Sequence, residues 1–86
     1  MRELRKAIGE EYPEVLVLPS EYDSALLGMV SRANGLEVAC YDYHKVIHVL
    51  EKRHGMTNED AIEYFEFNIL GAYMGAYTPC FLNNNF

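Results

Sequence analysis

The sequence predicts a small α+β domain, or a small α/β one, from three observations. Short β-branched and Leu-rich runs alternate with stretches whose apolar residues recur every three or four positions, the two periods that separate strand from helix. Gly and Pro fall between these stretches as punctuation. Half of the 86 residues are apolar and seven Tyr and four Phe are present without Trp, a globular composition. A chain of this length buries only about 60 to 65% of the surface its unfolded form exposes, so one domain over residues 1–86 with a small core is expected. The predicted order is α-β-α-β-α-α-β, with about three short strands, a βαβ unit and three to four helices.

MRELRKAIGEEYPE places Leu4, Ile8 and Tyr12 at helical spacing with Arg2, Arg5 and Lys6 on the remaining surface, and Gly9 and Pro13 end this helix. VLVLP, Val15 to Pro19, reads as a short strand buried on both faces. Ser20 then stands as N-cap of a helix over Glu21 to Ala33. There Tyr22, Leu26, Met29, Val30 and Ala33 recur at helical steps, and Asn34-Gly35 follows where a C-cap needs a left-handed residue. LEVACY, Leu36 to Tyr41, is the second strand, expected to lie parallel to the first after a right-handed crossover. Asp42 caps a helix from Tyr43 to His54 whose Tyr43, Val46, Ile47 and Leu50 face the core. Lys52, Arg53 and His54 suit the negative end of its dipole, and Gly55 terminates it. Thr57 and Asp60 resemble a capping box for a long helix from about Asn58 to Tyr77. Pro79 stops that helix before a third strand, Cys80 to Leu82, of open direction and a polar NNNF tail.

The long helix carries the question of function. Phe67 to Phe81 runs fifteen residues without a charge, but a membrane span needs roughly 17 to 25 apolar residues, and Asn68 and Thr78-Pro79 interrupt the run. A membrane segment is therefore not expected. Ala61, Ile62, Phe65, Ile69, Ala72 and Ala76 share one helical face, the expected core stripe. Phe67, Leu70 and Met74 cluster on nearly the opposite side, with Tyr64, Gly71 and Gly75 between. Either the N-terminal helix, tail and loops cover this second face, or another copy or a partner does. Gly71 and Gly75 would let another backbone approach, within the chain or across a boundary. Phe67, Leu70, Gly71, Met74 and Gly75 are thus the candidate interface, and a homo-oligomer is expected.

A net charge of -6 disfavours direct contact with nucleic acid and fits a basic partner or plain solubility. Cys40 and Cys80 lack zinc spacing, and nothing N-terminal reads as a signal peptide, so both are expected as reduced, buried thiols in a cytoplasmic protein. Glu63, Glu66, Asn68, Tyr64 and Tyr73 form a carboxylate-phenol group in which Glu66, at the edge of the core stripe, is expected to be partly buried. Burial would raise its pKa and suit it to acid-base work; the alternative is an acidic solvated face. Asp23 and Asp42 read as a first-turn charge and an N-cap, on loops where α/β sheets also place ligands. These three carboxylates are the weak catalytic candidates. His44 and His48, one turn apart with Glu51 on the same side, are a weak metal set without an obvious fourth ligand, so no metal and no cofactor is expected.

The succession EYDSALLG, YDYHKVIHVL and EDAIEYFEFNILGAYMG followed by TPCF resembles a group of small uncharacterised proteins encoded by bacteriophages and prophage regions, over about residues 21–82. The resemblance brings no activity or site residues. It implies only an origin; small acidic phage proteins often act by binding a host protein, so that reading gains weight by association. The expected function is a non-enzymatic protein-binding or oligomerising module. The alternative is a small ligand-binding protein or enzyme using Glu66, Asp23, Asp42 and nearby Tyr.

Overall fold

The structure is a computed structural model that describes residues 3–33, 35–72 and 74–84. It is a small α+β fold, with five helical segments among the described residues around a three-stranded mixed sheet of order β1-β2-β3. Helix α1 spans Glu3–Glu11 and runs through Gly9. A 3-10 helix, Ser20–Ala25, leads directly into β1, Leu26–Ser31. Strand β2, Glu37–Asp42, is followed by α2, Tyr43–His54, α3, Asn58–Tyr64, a π-helical segment, Phe65–Leu70, and β3, Cys80–Leu82.

The local signals around α2 and α3 act as expected. The Asp42 carboxylate accepts from the Lys45 N–H at 3.2 Å, Gly55 takes φ +65 at the end of α2, and Thr57 Oγ1 accepts from the Asp60 N–H at 3.1 Å. Each bond closes within a few residues, so neighbouring sequence suffices to specify it. Val46, Ile47, Val49 and Leu50 of α2 are buried, and with Ile8, Tyr22, Ala25, Ala39, Tyr41, Ala61 and Phe65 they make the core. Phe65 stacks edge-to-face on Tyr43 and Phe81, with centroids 5.0 and 4.9 Å away.

Three expected elements differ. Glu21 to Ala33 is not a helix: after the 3-10 turn it becomes β1, antiparallel to β2, with Leu26 opposite Tyr41 and Ser31 opposite Glu37. A bulge between Leu26 and Gly28 breaks the alternation that would have marked a strand, and Gly28 accommodates it at φ +152. Gly35, at φ +88, lies in the connection that returns β1 to β2 and donates to the Arg32 carbonyl at 2.9 Å; a helix C-cap and a hairpin turn want the same kind of residue. Asn34 lies outside the described residues. The parallel pair is instead β2 with β3, Cys40 opposite Cys80 and Tyr41 opposite Phe81, with α2, α3 and the π segment as the crossover.

Val15 to Pro19 is extended but joins no sheet. Its polar groups are satisfied one by one: Leu16 N–H by the Tyr77 carbonyl at 3.3 Å, Leu18 N–H by the buried Tyr41 hydroxyl at 2.9 Å, and Leu18 carbonyl by Arg5 at 2.8 Å. The long helix also ends early. At Phe65 it widens to π geometry and at Gly71 it stops, the Gly71 N–H reaching the Glu66 carbonyl, five residues back, at 3.1 Å. Residues 71–79 are irregular where described, and the Thr78 hydroxyl holds them by accepting from the Met74 N–H and donating to the Gly75 carbonyl, both at 2.8 Å.

Candidate functional site

The expected second apolar face is in solvent, Phe67 and Leu70 on the π segment and Met74 in the irregular stretch beyond it. Phe67 is 74%, Leu70 55% and Met74 72% exposed, and Tyr64 beside them is exposed as well. Neither α1 nor the described part of the tail covers them. The two glycines have reasons within the chain: a Cβ on Gly71 would sit 2.9 Å from the Glu66 carbonyl oxygen, and Gly75 takes φ +108. Ala61 and Phe65 of the expected core stripe are buried and Ile62 and Ile69 partly so, whereas Ala72 and Ala76, beyond the end of the helix, are exposed.

The carboxylates do not gather. Asp23 forms an ion pair with Arg5 at 2.8 Å, Asp42 serves the α2 N-terminus, and Glu66 is exposed on the π segment. The expected partial burial of Glu66 is thus corrected: its side chain is exposed, because the chain leaves the helical path at Gly71 instead of continuing the stripe beside it. Glu63 and Asn68 are also exposed, and Tyr73 lies outside the described residues. None of Asp23, Asp42 and Glu66 lines any of three grooves formed among the described residues.

His44 Nε2 lies 3.1 Å from Asn83 Oδ1, His48 is exposed, and Glu51 accepts from Asn58 Nδ2 at 2.8 Å. Among the described residues no group of three His, Cys, Asp or Glu side chains is arranged to hold a metal ion. Cys40 and Cys80 are free thiols on neighbouring strands; burial, and a hydrogen bond with Cys80, push the Cys40 thiol up to about 11, which keeps it protonated and poorly nucleophilic at neutral pH. No helix among the described residues is long and apolar enough to cross a membrane.

One feature escaped the sequence reading. A groove of about 500 Å³ opens between Leu16–Pro19, the Tyr64–Ile69 side of the π segment and Thr78–Phe81. Its walls include Leu16, Leu18, Tyr22, Ile69, Met74 and Phe81. It exists because VLVLP stays out of the sheet and lies as a rail across the end of the crossover. The apolar character of VLVLP was the available signal, but it reads equally as a buried strand. Beside this groove lies a second of about 440 Å³, lined by Met56, Phe67, Asp60 and Glu63, and the two share Tyr64 and Asn68. Comparison of the chain with protein-family models, with curated proteins and with solved structures returned no match in any of the three.

Proposed function

We propose that this chain is a non-enzymatic protein-binding module whose contact surface is the face of Phe67, Leu70 and Met74. The observation that carries the reading is the exposure of three large apolar side chains on one short segment. Covering them would remove apolar surface from water at about 25 cal/mol per Å², which favours association. A catalytic reading has less support, because the candidate carboxylates are separate and engaged in an ion pair and a helix cap, or exposed.

Phe67→Asp and Met74→Asp test the proposal. Both are expected to leave urea unfolding within about 0.5 kcal/mol of the parent chain, because the side chains touch little of their own fold. Both should also abolish enrichment of ligands that the parent chain selects from a displayed random-peptide library, and any self-association seen by light scattering. A loss of several kcal/mol would assign the face to folding. A parent chain that selects no peptide and stays monomeric at hundreds of micromolar would overturn the proposal.

A further inference from the structure

The surface beside the exposed face has two halves of different chemistry joined at Tyr64 and Asn68. The first groove, about 500 Å³, is walled mainly by apolar side chains and falls within the size range of pockets that take a bulky apolar group. Tyr22 lies in its wall, its ring largely buried and the residue only 5% exposed, and no hydrogen bond of its hydroxyl to another described residue is formed. A buried hydroxyl left in this way favours a ligand that brings an acceptor, such as a peptide carbonyl. The second groove presents the carboxylates of Asp60 and Glu63, neither of which has a cationic partner among the described residues.

Charge decides the kind of occupant. Glu59, Asp60 and Glu63 on α3 and Glu66 on the π segment that follows it are all exposed, in a chain of net charge -6. A second copy would bring the same net charge of -6 and the same acidic cluster to the shared surface, whereas a basic segment would neutralise it. Ile69 in the apolar groove lies six residues beyond Glu63 and nine beyond Asp60, roughly 9 to 13 Å along the helical path, which an extended peptide covers in about three to four residues.

We propose that this surface docks a segment of another protein that carries a bulky apolar side chain and, about three to four residues away, a Lys or Arg. The apolar side chain enters the groove beside Tyr22, Ile69 and Met74, and the cation rests against Asp60 and Glu63. This rests on the protein-binding reading above and specifies its partner.

Three fluorescein-labelled synthetic peptides of equal length test it by anisotropy against the full chain. One carries a Trp anchor and two Lys, one replaces the Lys by Glu, and one replaces the Trp by Ser. The first is expected to bind at least tenfold more tightly than either other, and to weaken as salt is raised from 50 to 300 mM. Asp60→Asn with Glu63→Gln should remove the preference for Lys over Glu, Glu63→Lys should shift it toward the Glu peptide, and Met74→Asp should abolish the advantage of Trp. Circular dichroism of each variant verifies that it is folded. Equal binding of the Lys and Glu peptides, or an unchanged Lys preference in the Asp60→Asn, Glu63→Gln chain, overturns this inference while leaving the protein-binding reading intact. Binding of none of the peptides, with self-association lost in Phe67→Asp, overturns it in favour of a second copy. Binding of none, without self-association, removes both readings.

Discussion

Replacing Gly71 with alanine separates two accounts of the Asn58–Tyr77 stretch by the sign of the effect. In the interior of a regular helix, which the sequence pattern suggests, Gly to Ala stabilises by about 0.5 to 1 kcal/mol, because alanine loses less backbone entropy on folding. In the structure Gly71 closes a π-helical segment. A Cβ there would stand 2.9 Å from the Glu66 carbonyl oxygen and 3.3 Å from that of Phe67. Both are backbone atoms, so relief requires the wide turn itself to move, at a cost of about 1 to 3 kcal/mol, typical of overpacking. The Gly71–Glu66 hydrogen bond, 3.1 Å, is the first contact such a movement would lengthen. In a domain of this size 1 kcal/mol corresponds to roughly 4 to 8 °C in melting temperature, so Gly71→Ala is expected to melt about 5 to 20 °C below the parent chain. The assay is thermal and urea unfolding followed by circular dichroism at two protein concentrations, which separates folding from association. A rise in melting temperature would refute the π-helical ending and restore a continuous α-helix through Gly71.

Two further outcomes follow from the same packing. Phe65→Ala, which empties a site 2% exposed between Tyr43 and Phe81, should cost about 3 to 5 kcal/mol in urea unfolding, whereas Phe67→Ala at 74% exposure should cost under about 0.5; equal costs would contradict the register of the π segment. Burial, with smaller contributions from Glu21 and Tyr64, pushes the Tyr22 phenol up to about 12, above its value in the unfolded chain; the stability tied to its neutral form is complete below about pH 10 and is lost as pH rises toward 12. Urea midpoints measured from pH 9 to 12 should therefore fall, and fall less in Tyr22→Phe; an identical alkaline decline in that variant would show that other groups cause it.

Much of the candidate surface was legible in the sequence, and the reason is counting. Phe67, Leu70 and Met74 could not share a face with Ala61 and Phe65 in any helix of about 3.6 residues per turn, and a chain of 86 residues has little material for a second cover. Their exposure follows from that shortage. The groove beside them was not legible, because it depends on where VLVLP lies. That segment is held by the Tyr41 hydroxyl, by Arg5 and by the Tyr77 carbonyl, partners that no local pattern reveals.

The sequence by itself determined the features whose hydrogen bonds close within one turn: the Asp42 and Thr57 caps, the left-handed stop at Gly55, and the helices between them. It also marked β2 and β3 through short apolar runs bounded by Gly, Asp and Pro. Tertiary structure decided the rest. Leu26–Ser31 carries helical spacing and a left-handed residue beyond it, yet pairs with β2, because strand hydrogen bonds and the burial of Leu26 against the core outweigh a weak local preference. The π segment likewise depends on Gly71 nearby and on Tyr43 and Phe81 far along the chain closing around Phe65. Contacts between residues distant in sequence carry these choices, and periodicity within a window of a dozen residues contains no record of them.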